Sequence, residues 1–298
     1  MPLFKPVDLF WIGQREFPAL ARVAAFFLIW LGVWLPVAFP LARILCWRLT
    51  QPIEMRQKLP LVVSLYLVFP FLFWDFIQVE GVSVADYGLV WRFSLLSSLA
   101  LGLSLGLLGL VILIVIEYCL GWFDWPTSVQ LDYPAVVGVE PQQSLPLRSV
   151  FLPTLLLGLF VSAIEELVFR GFLINQLQQD YAAWLAAAIA SLVFAILHLA
   201  WEGRENIPQL PGLWLMGLVL VLARWADGGS LGLACGLHAG WIWGIASLDA
   251  TQILVSTGKG PIWMTGSEGK PLEGLMAILL LLCTAIAVWG IGQLRGGS

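Results

Sequence analysis

Charge is what this chain has least of. Only 11% of its residues are Asp, Glu, Lys or Arg, and 60% are apolar, whereas soluble globular chains carry about 25% charged residues. A soluble fold would need one very large apolar core, with too few charges left to cover it. Lipid is therefore the expected solvent. A basic stripe is missing and the net charge is −4, which argues against a nucleic-acid partner. Cysteine is scarce as well. Cys46, Cys119, Cys235 and Cys283 lie in or beside apolar runs and form no C-x-x-C pair. That excludes a disulfide framework or thiolate metal site and leaves them as small packing residues. Histidine occurs twice, as His198 and His238. Period-two alternation is absent from the long apolar runs, which excludes membrane strands.

What is present is a series of eight apolar runs, each near the 20 residues that a membrane helix needs. They are 19–41, 59–77, 93–120, 150–175, 181–201, 210–226, 230–248 and 274–292. The third, sixth and seventh are open to tilting, shortening or re-entry. The fold class expected is all-α, a polytopic membrane helix bundle of about eight transmembrane helices. Sixteen tryptophans suit its two interfaces. The arm 1–18 has no signal-peptide core or cleavage site and reads as an interfacial approach to the first span. The loop 121–149 divides the chain into a three-helix front part, 1–120, and a five-helix back part, 150–298, within one integral membrane domain. Lys and Arg are shared almost equally between the two sides, so they assign no orientation.

Against this background "SAIEELVFRGFL", residues 162–173, stands out. An ionised group at the bilayer centre costs about 2.5–3.5 kcal/mol on insertion scales, and such groups usually face the bundle interior. Glu166 and Arg170 are four apart, on one face of an α-helix in the favourable orientation, so they can neutralise each other. Glu165 lies about 100° around the helix, without a local partner. A turn near Asp180 puts Glu165 and His198 at similar depth in a helical hairpin, roughly 24–26 Å from the turn. Glu165, His198 and His238 together read as a functional site. Three chemistries fit: a glutamate base acting on water, with a histidine stabilising an oxyanion; a zinc site, for which no H-E-x-x-H is present; and a proton relay in a transporter, with Asp75 as a further polar group.

"EELVFR" fits E-E-x-x-x-R, "FAILH" fits F-x-x-x-H, and a third polar motif begins at His238. In this order, on successive apolar helices, they resemble the CPBP family. These are the CAAX proteases and bacteriocin-processing enzymes, also called the Abi family, and CAAX prenyl protease 2 is similar. The resemblance covers roughly 150–248. It implies an eight-helix intramembrane endopeptidase in which Glu165 and His198 activate water and His238 stabilises the oxyanion. Glu166 and Arg170 give structural and electrostatic support. It favours no obligatory metal, the alternative being zinc on Glu165, His198 and His238. The family's third motif usually has Asn or Asp four residues after its first polar residue, where this chain has Ile242. Losing one oxyanion donor costs about 10²–10³ in rate. Trp241, Trp243 or Asn175 are the substitutes the sequence offers, with packing or capping as their plainer roles.

The expected function is hydrolysis of a peptide bond in a membrane-tethered or lipidated peptide or protein. The alternatives are a CPBP-like scaffold or assembly factor that binds without cutting, and a proton-coupled transporter. The partners expected are the lipid bilayer and such a substrate, with no nucleic acid. The default location is a bacterial-type cytoplasmic membrane, with an internal thylakoid or organellar membrane as the alternative.

Overall fold

Long apolar runs close their backbone hydrogen bonds within themselves, and in lipid that leaves helices as the available spanning form. A computed structural model describes residues 17–47, 53–125, 147–267 and 270–296. Most of the arm 1–18 and residues 126–146 of the expected loop lie outside the described residues. Among the described residues eight long helices dominate: α1 (Ala19–Ile44), α2 (Met55–Glu80), α3 (Phe93–Cys119), α4 (Leu147–Glu166), α5 (Ala183–Glu202), α6 (Leu210–Ala226), α7 (Gly232–Thr251) and α8 (Leu275–Gly296). The chain leaves α4 through a π-helical stretch, Leu167–Leu173, and a short helical tail, Ile174–Leu177. Two-residue strands β1 (Phe123–Asp124) and β2 (Val255–Ser256) pair antiparallel.

Among the described residues six helical segments are long and apolar enough to cross a bilayer: Ala19–Ile44, Arg56–Glu80, Phe93–Cys119, Ser149–Leu177, Asn206–Ala226 and Leu275–Arg295. The expected all-α membrane bundle is therefore present, but a count of eight spans does not follow. Ala183–Leu199 is a shorter apolar helix. Helix α7 carries four glycines together with His238, Ser247 and Asp249, which lower its hydropathy.

The described chain forms two units, Met1–Val90 with Leu167–Ala190, and Trp91–Glu166 with Ser191–Ser298. In the first, α1 and α2 are joined by indole donors. Trp30 Nε1 donates to Leu65 O at 3.0 Å, and Trp34 Nε1 to Ser64 Oγ at 2.9 Å. An aromatic core of Phe26, Phe69, Phe73 and Phe76 takes in Phe172 of the π stretch, whose ring centroid lies 4.2 Å from that of Phe26. Gly171 gives close approach here, where a Cβ would stand 3.0 Å from Tyr87 O.

The second unit is organised around α7. Its glycines recur every fourth residue, at 232, 236, 240 and 244, and form one flat ridge. Helix α3 opposes it with Ser98, Gly102, Gly106 and Leu110, all buried. A Cβ on Gly240 would lie 2.8 Å from Leu103 O, and one on Gly236 would overlap Leu99 O. Small residues allow membrane helices this approach, where dispersion between backbones replaces a hydrophobic driving force. Successive contacts advance together along both helices, so α3 and α7 run parallel. On another side of α7, α4 runs antiparallel. Thr154 Oγ1 and Ser247 Oγ share a hydrogen bond of 2.8 Å, and Trp243 Nε1 donates to Phe151 O at 2.9 Å. At the start of α7, Asp227 accepts from Leu233 N–H at 3.2 Å and Ser98 Oγ at 2.6 Å, and pairs with Arg295 of α8. The outer face of α3, including Leu108, Val111, Ile112 and Val115, is exposed and largely apolar, as a lipid-facing surface should be.

Candidate active site

The ridge that seats α7 against α3 also fixes the direction of His238, which lies between the second and third glycines of the run. The imidazole is buried, with 4% side-chain exposure. Glu165 and Glu166 are the last two residues of α4, and both carboxylates face this ring. His238 Nδ1 is 2.8 Å from Glu166 Oε1, a hydrogen bond, and Nε2 is 3.8 Å from Glu165 Oε2. Glu166 is fully buried and Glu165 nearly so. An ionised carboxylate can only accept, so with Glu166 ionised the Nδ1 proton belongs to His238.

His198 lies on α5, half-buried. Its Nδ1 is 3.0 Å from Phe194 O, one helical turn earlier. A carbonyl cannot donate, so Nδ1 carries the proton and, in the neutral ring, Nε2 keeps its lone pair. Phe194 links the two histidines. Its ring centroid lies 4.3 Å from that of His198 and 6.0 Å from that of His238. Phe194 is fully buried and keeps this side of the site apolar.

The structure thus brings His238 against both glutamates and sets His198 beside it across one phenyl ring. Among the described residues His198 makes no ion pair with Glu165. Glu166 hydrogen-bonds His238. Glu166 is the last α-helical residue and the next seven are π-helical. π segments are rare and recur at functional sites. Arg170 belongs to the first unit and is buried, with its guanidinium carbon 5.9 Å from the Phe169 ring centroid.

The sequence offered two indoles in place of the missing Asn or Asp, and the structure separates them. Trp243 spends its N–H on Phe151 O. Trp241 is buried in an apolar cluster with Leu110, Val219, Leu220 and Leu281, and its Nε1 has no acceptor among the described residues. Asn175 donates to Asp86 O at 2.8 Å within the first unit. Ile242 packs toward Gly158 of α4, whose Cβ would lie 3.5 Å from that of Ile242. A zinc ion on Glu165, His198 and His238 needs the three to converge. Among the described residues no group of three or more His, Cys, Asp or Glu is arranged to hold a metal.

Phe194 is the site residue that sequence reasoning passed over. It was visible only as the first letter of F-x-x-x-H, and an aromatic in an apolar helix carries no distinguishing signal.

Comparison with known proteins agrees with the motif resemblance. Residues 147–244 match the model of the family described as type II CAAX prenyl endopeptidase Rce1-like. No curated protein and no solved structure matches the chain. The matched segment, residues 147–244, contains α4, α5, α6 and all three polar motifs, and this part of the chain is similar to that family. The chain is an integral membrane protein.

Proposed function

We propose that this protein hydrolyses a peptide bond in a membrane-tethered or lipidated peptide or protein. The observation that carries this reading is the placement of one buried imidazole against two adjacent carboxylates, with a second imidazole across a phenyl ring. In this reading Glu165 takes a proton from water, and the oxygen attacks the carbonyl carbon of the scissile bond. His198 Nε2, its tautomer set by Phe194 O, accepts from the same water and orients it. His238 donates through Nε2 to the oxygen that gains charge. Because Nδ1–H is held by Glu166, that donation uses an imidazolium flanked by carboxylates. Collapse of the tetrahedral intermediate breaks the C–N bond, and Glu165 returns the proton to the departing amine. Arg170 acts as electrostatic support. No metal is required in this scheme, and a bacterial-type cytoplasmic membrane is the working location.

Ile242 favours a second reading, a scaffold that retains the fold and binds membrane proteins without cutting them. The two are separated by cleavage of a library of membrane-tethered peptides by the detergent-purified protein. The variant is Glu165→Gln, each form assayed with and without a chelator. Loss of cleavage in the variant with chelator resistance in the wild type supports the glutamate base. Loss with chelator points to a metal enzyme. Partner capture without cleavage by either form supports the scaffold.

A further inference from the structure

We propose that the one-turn helix Ile262–Thr265, in the loop between α7 and α8, is an interfacial anchor, with Ile262 and Trp263 inserted in the headgroup layer of one bilayer leaflet. This inference stands apart from the protease reading and lies wholly within the second unit. Two large adjacent side chains point outward, Ile262 69% and Trp263 64% exposed. Their exposure is built into the loop. Strand β2 pairs with β1 at the end of α3, and Thr257 Oγ1 donates to Gly121 O at 2.8 Å. A Cβ on Gly260 would stand 3.1 Å from the Trp122 ring, and one on Gly274 would overlap Met264 O. The chain returning to α8 therefore lies directly against the one-turn helix. Ser267 N–H and Oγ–H both donate to Glu273 Oε2, at 3.2 and 2.5 Å, and tie that return in place. These contacts hold Ile262 and Trp263 outward, where a slack loop would tuck them in.

The neighbouring surface identifies what meets them. Leu108, Val111, Val115 and Tyr118 are exposed at helical spacing along the outer side of α3, the side that faces lipid. Tyr118 packs edge-on against Trp125, with ring centroids 6.3 Å apart, and both rings are exposed. The apolar exterior thus continues past the end of the helix and finishes in aromatic rings. Helix α3 has 27 residues, which is about 40 Å at 1.5 Å per residue, longer than the roughly 30 Å hydrocarbon core. Its end therefore stands at headgroup depth. Helix α7 runs parallel to α3, and α8 returns antiparallel, with Leu280 against Gly109 and Arg295 bonded to Ser98. The loop joining α7 to α8 lies at that same end, as its pairing with β1 requires. Tryptophan and tyrosine favour this layer, because the ring meets acyl chain while the N–H or O–H meets water. A lipid surface is thus the partner that matches both the chemistry of the two side chains and their depth.

The test uses the full chain in phosphatidylcholine vesicles, with Cys46, Cys119 and Cys283 replaced by Ser and Cys235 by Ala. A bimane label is attached at Trp263→Cys, or at Ile262→Cys, which keeps the tryptophan. Val111→Cys gives the lipid-core reference, and the label free in solution gives the aqueous one. The quenchers are a nitroxide on the lipid headgroup, a nitroxide deep in the acyl chain, and iodide in the water. At both loop positions the headgroup nitroxide is expected to quench more than the deep one, and iodide to quench less than it quenches the free label. Val111→Cys should show the reverse order of the two nitroxides. Iodide quenching equal to that of the free label, with no effect of either nitroxide, places the loop in water and overturns the proposal. Insensitivity to all three quenchers means that protein covers the loop, as in a dimer, and overturns it as well. Stronger quenching by the deep nitroxide puts the loop in the hydrocarbon core, which is also against it. If Trp263→Cys fails to fold, Ile262→Cys decides alone.

Discussion

Glu166 Oε1 lies 2.8 Å from His238 Nδ1, and the two residues are 72 apart in the chain. This bond joins the end of α4 to the middle of α7, where both side chains are buried. It orients the imidazole so that Nε2 faces Glu165. The adjacent glutamates therefore have different tasks, one holding the ring and the other standing at its opposite nitrogen.

Glu166→Gln keeps an acceptor for Nδ1–H, whereas Glu166→Leu leaves that proton buried and unbonded. An unsatisfied buried donor costs about 1–3 kcal/mol. Glu166→Leu is expected to lower the unfolding midpoint and to reduce kcat/KM by about a hundredfold, with Glu166→Gln within about tenfold of the wild type. Equal effects of the two variants would show that the hydrogen bond is not what Glu166 contributes.

Ile242→Asn puts a donor one helical turn beyond His238. If oxyanion stabilisation limits the reaction, kcat rises by on the order of 10² with KM little changed, since one such donor is worth about 10²–10³. Steady-state kinetics on a cleaved peptide checks this. An unchanged kcat would mean that position 242 does not face the developing charge.

Gly236→Ala forces a methyl group onto Leu99 O, a backbone atom that cannot rotate away. Separation of α3 from α7 is expected, with a loss of at least about 2 kcal/mol, in the range of overpacked cores. Gly290→Ala, where nothing lies within 4 Å, is the control and should be neutral or slightly stabilising. Thermal unfolding in detergent of both variants makes the comparison.

Tyr87, in the turn between α2 and α3, is buried, and burial raises its phenol above the ordinary tyrosine range. Glu80 adds to the shift, and a hydrogen bond with Gln176 opposes it. In the unfolded chain the phenol ionises near pH 10. Above that pH the unfolded state binds fewer protons than the folded one, so stability falls as pH rises. Stability of the wild type should drop through and above pH 10, and Tyr87→Phe should remove that part of the slope. Unfolding midpoints between pH 8 and 11 measure it.

Composition and hydropathy were enough to establish a helical membrane protein, because a chain with so few charges has no other way to satisfy its backbone. Motif order pointed to the CAAX-protease family, since E-E-x-x-x-R and F-x-x-x-H are short and local. The bond between Glu166 and His238 was not legible. Helical periodicity sees residues three and four apart, and His238 is 72 residues away. The change from α to π geometry at Leu167 was equally hidden, because it depends on packing rather than on any breaker residue. The run of glycines at 232, 236, 240 and 244 was there to be read, but only α3 gives it meaning, as a surface on which two backbones meet. What sequence alone determined was the solvent, the helices and the residue types able to do chemistry. Which carboxylate holds His238, and which indole is already bonded, was decided by tertiary packing, because a hydrogen bond inside lipid forms only where helices distant in the chain bring donor and acceptor together.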